Sequence, residues 1–274
     1  MVKDKNDESR IIDGLTLFDD DLMTLVFDKN IPATELVLRI ILGREIHVIS
    51  VEAQEEMRNP IVGGRNIKLD IHAIDEDGVE IDIEVQGNSD GAHVRRARFH
   101  SAVIDSRMLK EKEHFKALKD SYVIFIYKRD KFGKGLPVYS ADRVISQTGE
   151  PLGDGSHIIY VNGKYRGNDE IGKLMSDFRA KSSEKMHFKE LSEGIHHFKE
   201  TEEGRSIMCD TWTKLAKEYA EEKVIETRTA TLAETAKNLM QNNGFSLEQA
   251  LDALGIMNDE RESVLNQLQD EMVK

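Results

Sequence analysis

The chain has 274 residues, and its 51 acidic and 38 basic side chains give a formal net charge of −13. Its one cysteine, Cys209, excludes a disulfide framework and any zinc site built from several cysteines. A surface this negative repels phosphates, so nucleic acid can bind only where basic residues are gathered. The sequence contains no apolar run near the ~18 residues of a membrane span, and the polar start MVKDKNDESR lacks a secretory-signal pattern. We therefore expect a cytoplasmic protein with no membrane partner.

The charge is unevenly distributed along the chain. Residues 91–135 contain twelve basic and five acidic side chains, a local balance of +7, so the rest of the chain carries −20. Residues 184–274 contain eleven basic and nineteen acidic side chains, no proline and many good helix formers. We therefore predict an α/β domain over residues 1–180 and an acidic helical region over residues 181–274.

The first predicted element is a helix that opens at Pro32-Ala33-Thr34-Glu35 and ends before Gly43. β-branched and alternating residues then predict four strands, at Ile46–Val51, Ile67–Ile74, Val79–Val85 and Tyr122–Tyr127. Between the third and fourth strands, helical spacing of apolar residues and the absence of glycine and proline predict a second helix over His93–Leu118. The predicted order is helix, three strands, helix, strand.

Two further short strands are predicted at Leu136–Tyr139 and His157–Val161. After Asn168 the pattern becomes helical. Three helices are predicted there, at Ile207–Thr235, at Leu247–Leu254 after the cap Ser246, and at Asp259–Gln269 after the cap Asn258. The last two fit a helix-turn-helix DNA reader, but their acidity favours packing or self-association.

The segment Leu69–Gln86 carries the most informative pattern in the chain. Its loop Glu76-Asp77-Gly78 fits a three-residue hairpin turn that pairs Asp75 with Val79. In this register one face of the hairpin is apolar, with Leu69, Ile71, Ala73, Ile81, Ile83 and Val85. The other face is polar, with Lys68, Asp70, His72, Asp82, Glu84 and Gln86.

The same register places Asp70 directly across from Glu84, with β-carbons roughly 5 Å apart. Adjacent carboxylates repel each other unless a cation lies between them, and hard oxygen ligands favour Mg²⁺ or Mn²⁺ over zinc. The main-chain carbonyl of Val85 is a further candidate ligand, and such a site can activate water at a phosphodiester. The alternative is that these acids lie on the solvated face of an amphipathic hairpin.

Asp70, followed by Glu84-Val85-Gln86 within this order of elements, resembles the PD-(D/E)XK nuclease superfamily. More narrowly, the chain is similar to PD-(D/E)XK nuclease family transposases and recombination-promoting nucleases over about residues 16–159. The similar segments are LFDDDLMTLVFDKN, ATELVLRIIL, KLDIHAIDEDGVEIDIEVQ, RRARFH and SYVIFIYK. The resemblance implies a restriction-endonuclease-like α/β core, a divalent metal and DNA as the substrate.

The resemblance also implies roles for individual residues. Asp70 and Glu84 would ligate the metal, and Gln86 would orient water or phosphate where most of the superfamily has lysine. Glutamine is common there in the narrower branch; it hydrogen-bonds but supplies no positive charge. Lys68, opposite Gln86 in the predicted register, is our candidate for that charge, and a solvated lysine at a strand end is the alternative. Glu35 stands where several members have an assisting carboxylate; the alternative is a favourable interaction with its helix N-terminus.

Arg95, Arg96 and Arg98 are implied phosphate contacts, with a solvated basic helix face as the alternative. His100 stands where the branch often has tyrosine. The sequence thus predicts a Mg²⁺- or Mn²⁺-dependent DNA endonuclease related to transposases and recombination-promoting nucleases. The alternative is a catalytically inactive module of the same fold that binds DNA or protein and self-associates through its helical tail.

Overall fold

The computed structural model describes residues 5–59, 61, 64–87, 93–256, 261, 263–265, 267 and 268. The chain divides into two compact units, Met1–Cys209 and Asp210–Lys274. The sequence placed the division near residue 180 on composition, whereas contacts place it later. The reason is that Leu191, Ile195 and Met208 are buried in the core of the first unit despite their acidic surroundings.

The first unit opens with the helices α1 (Lys5–Gly14), α2 (Asp20–Phe27) and α3 (Ile31–Leu42). The strands β1 (Val48–Met57), β2 (Ile67–Asp75) and β3 (Glu80–Gln86) follow, then helix α4 (Val94–Met108) and the strands β4 (Ser121–Tyr127), β5 (Val138–Ala141) and β6 (Ser156–Asn162). The helices α5 (Glu170–Phe178), α6 (Lys189–Ile195), α7 (Glu202–Asn243) and α8 (Leu247–Ala253) complete the named elements. The predicted mixed α/β class is confirmed.

The six strands form one sheet in the order β1-β2-β3-β4-β6-β5. β1, β2 and β3 pair antiparallel, β3 pairs with β4 and β4 with β6 in parallel, and β5 pairs antiparallel with β6. A parallel pair needs a crossover connection, and α4 supplies it between β3 and β4. The sheet is covered on both faces: one apolar cluster joins it to α2, α3, α5 and α6, and a second joins it to α4.

Helix α3 forms close to where the sequence predicts it. Its N-cap is Asn30, whose side chain accepts a hydrogen bond from the Ala33 amide at 3.2 Å, and Pro32 lies in the first turn. The helix ends at Gly43, which has a φ of +66° in the left-handed region. The helix therefore begins one residue before the predicted Pro32.

The predicted bounds of the first strand and of the second helix are wrong. The first strand begins at Val48 and continues to Met57, because β1 is an edge strand whose charged side chains can face water. The second helix ends at Met108 instead of Leu118. Leu109 is extended, Lys112 has a φ of +73°, and Phe115 is 88% exposed, so the helical spacing beyond Met108 does not correspond to a buried face.

The second unit contains α8 and most of α7, which is longer than the predicted Ile207–Thr235. Ser246 caps α8 in a capping box with Gln249, as predicted. The unit has a small apolar core of its own, which includes Ala236, Leu251 and Val264. The predicted helix Asp259–Gln269 and its cap Asn258 lie largely outside the described residues. None of the helices in the described part of the chain combines the length and hydrophobicity that a bilayer crossing requires.

Candidate functional site

The β2–β3 hairpin has the predicted register at its turn end. Ile71 pairs with Ile83 and Ala73 with Ile81, and the Asp75 amide donates to the Val79 carbonyl at 3.2 Å. Gly78 adopts a φ of +78°, a backbone conformation that is strained for a residue with a side chain. The predicted hairpin closure is confirmed.

The two strands separate beyond the Ile71–Ile83 pair, at the predicted acid pair. The Asp70 amide donates to Glu84 Oε1 at 3.2 Å, and the Val85 amide donates to Asp70 Oδ2 at 2.9 Å. Each carboxylate therefore takes the place of a cross-strand carbonyl. The two acids are joined by side chain to backbone hydrogen bonds, and not by the direct ladder pairing that the predicted register gives.

The side chains of β2 also change from one face of the sheet to the other at Asp70. Leu69 packs in the α4 cluster, whereas Ile71 and Ala73 pack in the cluster on the other side of the sheet. The pairing of β1 with β2 skips Gln54 on β1 and Asp70 on β2. Gln54 has a φ of +56°, which is unusual for a residue other than glycine. The single apolar face that the alternation predicts is therefore broken by an irregularity beside Asp70.

The centre of the polar face of the hairpin is buried. Asp82 is 0% exposed and Glu84 is 1% exposed, because α4 covers this face of the sheet. The alternative of a solvated acidic face is therefore wrong for these two residues. Burying carboxylates is costly unless partners or a cation compensate.

Helix α4 supplies partners from two residues one turn apart, Arg96 and His100. His100 Nδ1 lies 2.8 Å from Asp82 Oδ2, and the Arg96 guanidinium forms an ion pair with Glu84. Arg96 also donates through Nε to His100 Nε2 and through Nη1 to Gln86 Oε1, each at 3.3 Å. Because His100 Nε2 accepts a hydrogen bond from Arg96, we assign the ring proton to Nδ1, which donates to Asp82.

These groups form a candidate metal centre. Asp82, Glu84 and His100 each offer a ligand atom, and these atoms lie within 4.8 Å of one another. Asp82 Oδ1 is buried without a hydrogen-bond partner in the described part of the chain. An oxygen left unpaired in the interior is a position that a cation would satisfy.

The electrostatics of the cluster suit a divalent cation. Burial, together with the charge of neighbouring carboxylates, raises the pKa of Asp70, Asp82 and Glu84 to about 8 each. Burial also lowers the pKa of His100, despite the nearby Glu84. The site therefore holds more acid than Arg96 and His100 neutralise, and its oxygen-rich donor set suits Mg²⁺ or Mn²⁺.

Residues 34–165 match the family model for PD-(D/E)XK nuclease family transposases. The match confirms the resemblance that the sequence motifs indicated, and it runs from the first turn of α3 past the end of β6. No curated protein and no solved structure was found to match the chain. A nuclease-like function is thus supported by the family and by the acid cluster within the matched residues.

Within this PD-(D/E)XK region, the structure brings together five of the predicted site residues. Asp70, Glu84 and Val85 contact one another, and Gln86 and Arg96 join them through hydrogen bonds. Arg96 was predicted to contact phosphate; here its guanidinium binds Glu84 and Gln86.

Two other predicted residues, Lys68 and Arg95, lie beside the acid cluster. Lys68 and Arg95 line a cavity of about 550 Å³ that also contacts Arg96 and His100. Lys68 does not face Gln86 across a ladder, because the strands have already separated. Arg98 is exposed on α4.

Glu35 is placed elsewhere. Its Oε1 accepts a hydrogen bond from the Val48 amide at 2.8 Å, at the start of β1. Val48 pairs with Asp75 at the turn end of the hairpin, away from Asp70. The structure thus gives Glu35 an anchoring contact, and neither proposed alternative describes it.

Sequence reasoning assigned no role to Asp82, His100 or Asp20. The spacing of Asp82 and Glu84, two residues apart on one strand face, could have indicated Asp82. His100 could be found only from the packing of α4. Asp20, on α2, lies close enough to Asp70 to contribute to its raised pKa, and it accepts a hydrogen bond from Gln54 at 3.0 Å.

Proposed function

We propose that the protein is a divalent-metal-dependent endonuclease that hydrolyses DNA phosphodiester bonds. The observation that carries this proposal is the convergence of Asp70, Asp82 and Glu84 in a buried site within the PD-(D/E)XK region. The raised pKa of these three carboxyls reflects the cost of burying their charge, and a bound cation would compensate that cost. DNA as substrate follows from the family and from the basic residues that begin α4.

Asp70 and Glu84 would hold the metal, with Asp82, His100 and the Val85 carbonyl as further candidate ligands. When bound, Mg²⁺ or Mn²⁺ would lower the pKa of a bound water and stabilise negative charge at the phosphate. The residues present fit this role, because Asp82 Oδ1 lacks a partner in the described residues and the set consists mainly of hard oxygen donors.

Gln86 and Arg96 would orient the reactants. Because Gln86 Oε1 accepts from Arg96 Nη1, its amide NH₂ is the group left to donate to a water or phosphate oxygen. Arg96 supplies a positive charge next to Glu84, at a site where most of the superfamily uses lysine. Arg96 therefore replaces Lys68 as our first candidate for that charge.

The test is cleavage of labelled DNA by the purified chain with Mg²⁺ or Mn²⁺. We expect Asp70→Ala and Glu84→Gln to reduce cleavage at least ~100-fold, the scale of losing one electrostatic stabiliser. Asp77→Asn is the matched control, because Asp77 is an exposed acid in the turn of the same hairpin. Calorimetric titration with Mn²⁺ gives a second readout. Equal cleavage by Asp70→Ala and the parent would show that the site assignment is wrong.

The alternative function is an inactive module of the same fold that self-associates through its tail. Arg96 is an ion-pair partner of Glu84, and on α7 the apolar Val224 and Ile225 are 66% and 64% exposed. No Mn²⁺ binding at millimolar concentration, together with a dimer in sedimentation that Val224→Ser/Ile225→Ser dissociates, would favour this module. A monomer that binds Mn²⁺ would exclude it.

A further inference from the structure

A basic cavity lies directly beside the acid cluster. It has a volume of about 550 Å³, and its lining includes Arg65, Lys68, Arg95, Arg96, Phe99 and His100, with no carboxylate among the described lining residues. The cavity shares Arg96 and His100 with the candidate metal centre, so a ligand in it would be adjacent to that centre. In a chain with a net charge of −13, such a concentration of cations requires an explanation.

Three of the cations of this cavity are available to a ligand. Within the described residues, Arg65, Lys68 and Arg95 form no ion pair. The nearest acid across the strand from Lys68 is Glu56, which already accepts a hydrogen bond from Asn66 at 3.1 Å. In a second basic cavity, of about 560 Å³, Arg166 and Arg179 instead donate hydrogen bonds to main-chain carbonyls.

Phe99 adds an aromatic surface to the cavity. It is half-buried, with part of its ring packed on the α4 cluster and part lining the cavity. Cations that follow a backbone and an aromatic ring that stacks on a base are the combination that binds single-stranded nucleic acid. A cavity of this volume accommodates a ligand the size of one nucleotide.

We propose that this cavity is a nucleotide subsite for single-stranded DNA, in which Arg65, Lys68 and Arg95 bind a phosphate and Phe99 stacks on the unpaired base. The subsite rests on the proposed nuclease function for its substrate and extends it by naming the strand form that the site accepts. It holds the nucleotide next to the one whose phosphate lies at Asp70 and Glu84. Substrates with unpaired bases are therefore preferred over intact duplex.

The test is the fluorescence anisotropy of a labelled twelve-nucleotide oligothymidylate, titrated with the full chain in EDTA so that no cleavage occurs. We expect Arg65→Ala/Lys68→Ala to weaken binding at least ~10-fold and to reduce the slope of log K against log salt by up to about 0.7, since one phosphate contact on a single strand contributes ~0.7. Lys173→Ala/Lys185→Ala removes two exposed cations from the second basic cavity and is the matched control. Equal affinity and slope for both double variants, or no binding by the parent, would overturn the subsite.

Phe99→Leu tests the stacking separately, because leucine retains most of the packing against the α4 cluster. We expect it to weaken single-strand binding ~5-fold or more without changing the salt slope, and to remove the preference over a duplex of equal length. An unchanged preference would refute the stacking role. Circular dichroism melting checks that Phe99→Leu is folded. If it is not, Arg65→Ala/Lys68→Ala still tests the subsite, because both of these residues are exposed.

These outcomes are independent of the nuclease assay. If Asp70→Ala abolishes cleavage while Arg65→Ala/Lys68→Ala binds like the parent, the nuclease proposal stands and the subsite fails. If no variant or parent cleaves DNA but binding depends on Arg65 and Lys68, the subsite stands and the nuclease proposal fails.

Discussion

Replacing Asp82 by asparagine should change how the stability of the protein depends on pH. Asp82 is fully buried; Oδ2 contacts His100, and Oδ1 has no partner in the described residues. Burial raises the pKa of this carboxyl to about 8, whereas in the unfolded chain it ionises near its ordinary value of ~4. Asparagine has nearly the same shape and does not titrate.

The sign of the effect follows from proton binding. Between pH ~4 and pH 8 the folded protein keeps the proton and the unfolded chain has lost it, so the free energy of unfolding falls as the pH rises. The stabilisation is fully present below pH ~4 and is lost by pH 8. One such group changes the free energy of unfolding by about 1.4 kcal/mol per pH unit, or about 3 kcal/mol between pH 5 and pH 7. Asp70 and Glu84 titrate jointly with Asp82, so the change belongs to the cluster.

The assay is urea unfolding of the full chain in EDTA at pH 5, 6 and 7, followed by circular dichroism. We expect Asp82→Asn to lose less stability than the parent over this range, by about 3 kcal/mol. Saturating Mg²⁺ should reduce the parent's pH dependence, because a metal binds the ionised carboxylates. Identical pH slopes for the two proteins in EDTA would refute the reasoning, since they would mean that burial does not shift the ionisation of Asp82.

Two further substitutions test contacts outside the site. Gly78→Ala should lower the free energy of unfolding by ~1 kcal/mol in the same urea assay, because a φ of +78° is strained for a residue with a side chain, even though the nearest non-neighbouring atom is 3.8 Å away. Gly14→Ala is the control, because Gly14 has open space around it and no left-handed φ. An equal effect at both positions would contradict the strain argument. Lys199→Met should cost ~1–3 kcal/mol and expose the chain near residue 15 to limited proteolysis, because the buried amine donates to the main-chain carbonyls of residues 13, 15 and 181; unchanged stability and proteolysis would show that water satisfies those carbonyls.

The hairpin could be predicted from the sequence because its determinants are local. A turn that ends in Gly78 fixes which residues pair, and a register slip of one residue would exchange the two faces of the strands. The observed pairs Ile71–Ile83 and Ala73–Ile81 follow from that turn alone. The strand separation at Asp70 could not be predicted, because it arises when side chains replace carbonyls as acceptors in the ladder.

Helix α4 shows where the periodicity argument fails. Apolar residues recur at helical spacing as far as Leu118, yet the helix ends at Met108 and Phe115 is 88% exposed. Spacing shows which residues would share a face if a helix formed. It does not show whether a neighbouring element covers that face, and at Phe115 the described structure leaves it open.

The chemistry of the candidate site likewise depends on which element packs over the hairpin, and residue spacing in the sequence does not show this. A sequence that places acids on one hairpin face is compatible with a solvated surface, where each carboxyl would titrate near its ordinary pKa. Helix α4 lies over that face and brings Arg96 and His100, one turn apart, onto Glu84 and Asp82. Arg96 and His100 compensate only part of the cost of burying these carboxylates, since burial still raises the pKa of the carboxyls to about 8. The divalent-cation affinity that we propose would therefore be a property of the packed layer, and weakening the contact of α4 with the sheet should weaken metal binding even with every ligand in place.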